Sequence, residues 1–425
     1  MENPVRALSP DTFSHRVPCV LFLAVLVLTT TLSAIAAHQD DIIYVESNQT
    51  TGNSIVAFRN NGFGNLSLFG SWPAGGIGVF DPTFGKGPFD ADQQLQISPD
   101  RKLLFAVNSG SNTIAVFQIN PDGTLEPVEG SPFPSNGSDP VSVGVKAAQR
   151  GRDDDDDDAY ENVLVVANKD QDPRQNPGLV LPNYTAFRVA PGGQLTPVPN
   201  STISVAYFSS PAQALISPLG GLVFGADFQG GLLESLSIDE RGRLRQNPTT
   251  PLPDSEFIGS PVLHFLEGLW GHPSQPILYV GFVSAAKMGV FRYNGDGKLS
   301  FVRTVPNSGQ LICWIRVNRL GTRVYTVNSG DNSVSVYDST NAASPAEIQH
   351  LHLVNNTGAP LSLVLDRSEE FLYVVSTLAG PTSTTAGNGI HVLKIAADGT
   401  LSEVGSPTTV PVSGVITRVQ GIEVF

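Results

Sequence analysis

Short runs in which apolar and polar positions alternate fill most of the chain, and one phrase built from them recurs. It begins with an apolar strand of the form Leu-Phe/Tyr-x-Val-Asn, passes through a polar turn to a second alternating strand, and ends in Asp-Gly-x-Leu. The clearest copy runs from Leu104 to Asn108, through Ser109–Asn112 to Thr113–Ile119, and on to Asp122-Gly123-Thr124-Leu125. Val324–Asn328 followed by Ser333–Tyr337 nearly duplicates it. A period-2 alternation describes strands with one face buried, and the Asp-Gly and Gly-Gly pairs supply the positive φ of tight hairpin turns.

The first strand residues of successive copies are Ile43, Leu104, Leu164, Val223, Leu278, Val324 and Leu372, separated by 61, 60, 59, 55, 46 and 48 residues. A further short strand ending in a turn precedes most copies, as in Leu95-Gln96-Ile97-Ser98-Pro99-Asp100, and another follows each Asp-Gly-x-Leu. Seven units of about four antiparallel strands predict an all-β chain folded as a seven-bladed β-propeller. One such sheet cannot bury both of its faces, so neighbouring blades must complete the core and the ring must close. The first unit starts at its second strand, Ile42–Glu46, and the chain ends in an orphan strand, Gln420–Phe425. The C-terminal strand is therefore expected to complete the N-terminal blade.

Composition changes the picture in three places. Lys+Arg 25 against Asp+Glu 39 leaves a net charge of −14, which disfavours a nucleic-acid partner. Arg6, His15 and Arg16 precede an apolar run, Val17–Leu28, that gives way to Thr29–Thr31 and Ala34-Ile35-Ala36. That layout describes a secretory signal peptide over residues 1–36, its run short against the roughly 20 residues a membrane span needs. The expected mature domain is 37–425, a monomer without a membrane span, secreted or held at the cell surface. Cys19 would leave with the signal, so Cys313 has no disulfide partner and is expected to be a buried small hydrophobe.

Six Asn-x-Ser/Thr sequons, at Asn48, Asn65, Asn136, Asn183, Asn200 and Asn355, offer glycosylation sites on the secretory route. Residues 147–162 interrupt the third unit with six aspartates, Asp153–Asp158, read as a solvated acidic loop because calcium loops interleave Gly and a distal Glu.

The Leu-Tyr-Val-x-Asn strands, the Ser-Pro-Asp turns and the closing Gln420-Gly421-Ile422-Glu423-Val424 strand resemble the lactonase family of seven-bladed propellers. That family includes the bacterial 6-phosphogluconolactonases and proteins called 3-carboxymuconate cyclase-like, among them secreted fungal glycoproteins. The resemblance covers roughly residues 40–425 and implies action on a small organic acid or lactone, by hydrolysis or isomerisation. Its bacterial lactonases carry His and Arg on the innermost strands, four and five residues before the turn. Here those positions hold Gln94, Ser142, Gln213, Gly268, Trp314 and Ser362, and Gln93, Val141, Ala212, Glu267, Cys313 and Leu361. Neither set contains His or Arg, so the resemblance carries the shape and not the hydrolytic residues.

Alternation along the inner strands marks Gln94, Gln96, Gln213, Glu267, Trp314, Arg316 and Gln420 as the polar set for a central channel. Arg316 could clamp a carboxylate, Trp314 could stack on a ring, and Glu267 could exchange a proton if burial raised its pKa. No serine-hydrolase elbow, zinc-protease motif or phosphate loop is present. His272 falls in a turn, and His350 and His352 share one strand face without a third ligand in the sequence, so neither a metal nor a cofactor is assigned. Two functions remain open: the small-molecule enzyme of the resemblance, or a non-catalytic extracellular scaffold binding a glycan or protein.

Overall fold

The computed structural model describes residues 41–80, 91–148, 160–169, 180–207, 209–257, 264–354, 358–378, 387–412 and 417–425. The proposed signal peptide, the aspartate run and the sequon at Asn355 lie outside these residues.

Seven antiparallel sheets follow one another in the expected order. The inner strands of blades 1 to 7 are Gln420–Val424, Leu95–Ile97, Pro140–Ala147, Leu215–Ile216, Leu266–Gly271, Ile312–Val317 and Gly358–Leu365. The second strands, from Ile42–Glu46 to Phe371–Leu378, carry the repeated phrase. In blades 2, 4 and 7 the outer strand is broken into two short pieces that pair with the same third strand.

The ring closes as expected. Ile43 pairs with Val424, Tyr44 with Glu423 and Val45 with Ile422, so the last strand of the chain is the innermost strand of the first blade. Ile43, Val45 and Phe58 of blade 1 share a core cluster with Tyr373, Val375 and Ile390 of blade 7, so the first and last blades also meet through side chains.

The phrase itself has a physical meaning. Its aromatic position points across the blade interface, where Tyr44 donates to Gly123 O at 2.7 Å, Tyr279 to Ala342 O at 2.9 Å and Tyr325 to Gly399 O at 3.2 Å. Each acceptor lies in the following blade, so a large apolar ring is buried while its hydroxyl stays satisfied. The terminal Asn ties the other way. Asn108 donates to Ala74 O at 3.0 Å and Asn168 to Ser135 O at 3.2 Å, both at the end of the preceding blade.

Five inner strands, those of blades 1, 3, 5, 6 and 7, each carry one extra residue against their neighbour near their first residues. A bulge of this kind reverses the side-chain alternation on its far side. Two bulges fall on glycines. Gly421 has a φ of +64°, and a Cβ on Gly268 would stand 2.0 Å from Cys313 O of the adjacent blade. Only a residue without a side chain fits that approach.

Candidate functional site

The inner-strand residues that lie opposite the aromatic position of the second strand form one level of the channel. They are Glu423 opposite Tyr44, Gln96 opposite Phe105, Gly144 opposite Val165, Leu215 opposite Phe224, Trp270 opposite Tyr279, Arg316 opposite Tyr325 and Val364 opposite Tyr373. Four of the seven have polar or aromatic side chains suited to binding, and they converge.

Arg316 is gripped rather than free. Its Nη1 donates to Asp92 Oδ2 at 2.6 Å and its Nη2 to Asp92 Oδ1 at 3.1 Å, with Asp92 almost completely buried. The guanidinium carbon lies 4.2 Å above the Trp270 ring centroid, a stacked cation–π geometry. Asp92 belongs to the segment before blade 2. That segment reaches across to other blades, with Asp92 N donating to Ala212 O at 3.0 Å and Gln93 O accepting from Val143 N at 2.8 Å.

A chain of amides continues from there. Gln213 Oε1 accepts from Leu269 N at 2.8 Å, and its Nε2 donates to Leu269 O at 3.1 Å and to Gln93 Oε1 at 2.8 Å. Gln93 donates to Gln96, and Gln96 to Glu423 Oε1, each at 2.5 Å. Burial pushes the Glu423 carboxyl up to about 7, against the opposing pull of Arg316 and Arg101. The level therefore holds a neutralised ion pair, an amide relay and one carboxyl able to gain or lose a proton near neutrality.

Of the sequence candidates, Arg316, Gln96 and Gln213 enter this network. Gln94 is buried and donates to Ala91 O at 2.5 Å. The other three stand before or within the bulges, which corrects the alternation that placed them beside Arg316. Trp314 is fully buried in a core cluster shared by blades 4 to 7, and its Nε1 has no partner among the described residues. Glu267, opposite Gly281, adjoins Cys313, whose buried thiol is pushed well up by desolvation and then by the Glu267 charge. Gln420 is buried opposite Glu46, and neither its amide nor Glu46 Oε2 has a hydrogen-bond partner among the described residues. Burial holds the Glu46 carboxyl well above its ordinary range.

Asp92, Gln93, Trp270 and Glu423 were missed. Aligning the inner strands on the aromatic of the second strand, two residues before each turn, would have put Trp270 and Glu423 beside Arg316. Asp92 lies in no strand and carries no such signal.

The sequons divide. Asn65, Asn136 and Asn200 are exposed. Asn48 is buried, donating to Val79 O at 3.0 Å and Arg418 O at 3.1 Å. Asn183 is also buried, donating to Leu181 O at 3.1 Å and accepting from Asn168 at 3.0 Å. Those two are corrected as surface sites, because a glycan there would have to displace buried hydrogen bonds.

No family model matches the chain, and no curated protein matches it. Solved structures do match in shape. A candidate 6-phosphogluconolactonase from Bacteroides fragilis has a TM-score of 0.63 at 17% identity, covering 92% of this chain and 99% of its own. The periplasmic gluconolactonase PpgL of Pseudomonas aeruginosa has a TM-score of 0.60 at 17% identity, covering 87% and 98%. A hypothetical selenium-binding protein of Sulfolobus tokodaii has a TM-score of 0.60 at 13% identity, covering 91% and 93%. The fold is that of the lactonase-like seven-bladed propellers, and it houses proteins of differently named activities.

Proposed function

We propose that this chain is a non-catalytic propeller of lactonase-like fold, an extracellular scaffold that binds a glycan or protein through its exposed rims and blade edges. One observation carries the reading: the bidentate grip of Asp92 on Arg316. The buried carboxylate takes the paired donors and balances the charge, and a third N–H goes to Ile315 O at 2.9 Å, so the bidentate face that would orient a ligand acid is already occupied. The segment holding Asp92 also crosses the channel where a substrate would sit. Incubating the purified chain with aldonolactones and muconolactones tests the reading, with no turnover above the uncatalysed rate as the expected result. A glycan and matrix-protein array supplies the second arm, in which a saturable ligand is expected.

A second reading has its own observation. Glu423, with its carboxyl raised to about 7, is suited to general acid–base work on a small organic acid or lactone. The lactonase names of two structural neighbours agree with it in kind. Turnover of any lactone that Glu423→Gln abolishes would establish this reading and remove the first.

A further inference from the structure

His350 and His352 end the outer strand of blade 6, Ala346–His352, which pairs with Ser333–Asp338. Their side chains share one face because strand residues two apart always do. The third group comes from the turn before the paired strand. Asp331 lies there, and one nitrogen of each imidazole and one oxygen of its carboxylate all lie within 4.8 Å of one another. His350 Nε2 is 3.1 Å from Asp331 Oδ2, and the two imidazole rings meet edge to face with centroids 4.7 Å apart.

We propose that Asp331, His350 and His352 form a binding site for a divalent transition metal of the Zn²⁺ and Cu²⁺ class. The donor chemistry makes that selection. Two imidazoles and one carboxylate suit these ions, whereas Ca²⁺ and Mg²⁺ require sets of oxygen ligands. Ligand bonds of about 2.0–2.1 Å in a tetrahedral zinc site set neighbouring donors roughly 3.3 Å apart. The His350–Asp331 pair already stands near that spacing, His350 Nε2 also lies 2.7 Å from Ser333 Oγ, and His352 is exposed with its Nδ1 3.2 Å from Asp331 O.

The carboxylate is also oriented. Buried Ser333 donates to Asp331 Oδ1 at 2.8 Å, which leaves Oδ2 facing the imidazoles. Such outer hydrogen bonds hold ligands in the geometry a metal needs. Three protein donors leave one coordination position open at an exposed blade edge. A water or a donor from a bound partner would complete it. The site is remote in kind from the channel network and depends on none of its residues.

The test is a Zn²⁺ titration of the purified chain carrying no polyhistidine tag, followed by calorimetry in excess Ca²⁺ to occupy carboxylate-only sites. One equivalent of Zn²⁺ per chain is expected. Changing an outer-sphere partner alone costs roughly 10–100-fold in metal affinity. Ser333→Ala should therefore weaken binding by about tenfold, and His352→Ala or Asp331→Asn by about a hundredfold. His264→Ala, which removes an imidazole in another blade, should leave affinity unchanged. His352 is exposed, so its variant can be checked for unchanged circular dichroism. Absence of stoichiometric Zn²⁺ in the unaltered chain, or equal affinity in a folded His352→Ala variant, would overturn the proposal.

Discussion

Arg316 and Asp92 are separated by 224 residues in sequence and joined by two hydrogen bonds, the shorter 2.6 Å, with both side chains buried. The pair links blade 6 to the segment before blade 2. It is the feature that turns a possible ligand clamp into an internal strut.

Removing one partner leaves the other buried and uncompensated, which typically costs about 3–5 kcal/mol. Asp92→Ala and Arg316→Ala are each expected to lose that much in urea unfolding. The paired change Asp92→Leu with Arg316→Met should recover most of the loss, because apolar replacement of a whole buried ion pair is often neutral. Equal losses in the double and single variants would show that the pair is not acting as a unit.

Stability should fall as pH rises from about 5 to 8. Glu423 and Glu234 have carboxyls raised from 4.5 to about 7, both by burial, Glu234 with the added repulsion of Asp227. Between those values the unfolded chain releases protons that the folded chain keeps, so rising pH favours unfolding and the effect levels off above about 7. Each group accounts for up to about 3 kcal/mol of the decline. Glu46, whose carboxyl burial also raises, adds a decline of the same sign, so Glu234→Gln and Glu423→Gln should each make the profile measured by thermal denaturation less steep, and a flat profile in the unaltered chain would contradict the assignment. Exposed acids with lowered pKa values, such as Asp398, act the opposite way and only at more acid pH.

Closure depends on six residues. Deleting 420–425 removes the inner strand of blade 1 and opens the edge of Ile42–Glu46, whose residues are all buried. The truncated chain is expected to lose its cooperative melt and to associate in size-exclusion chromatography, as unpaired edges do. A milder probe is Gly421→Ala. The residue sits at φ +64° with its would-be Cβ 3.0 Å from Gln94 Cβ, so a loss of about 1–3 kcal/mol is expected.

The sequence held most of the fold because the repeated phrase is itself the packing rule. Tyr325 and Asn328 sit three residues apart since one must reach the next blade and the other must hold the previous blade's end. Ring closure was legible in the missing inner strand before Ile42. The site was legible only in part. Arg316, Gln96 and Gln213 follow from alternation, whereas Glu267 and Gln420 stand just before bulges that simple counting cannot see. Asp92 reaches the channel from a non-strand segment, and no periodicity marks such a residue. Asp331 likewise joins His350 and His352 only once the third and outer strands of blade 6 are paired.

Calorimetric titration of gluconate and muconate into the unaltered chain and into Asp92→Asn bears most directly on the Arg316–Asp92 pair as an internal strut. The unaltered chain should give no binding heat, and the variant should bind an organic anion on the released Arg316. Saturable binding by the unaltered chain that Arg316→Gln abolishes would mean that the channel is an open ligand site after all.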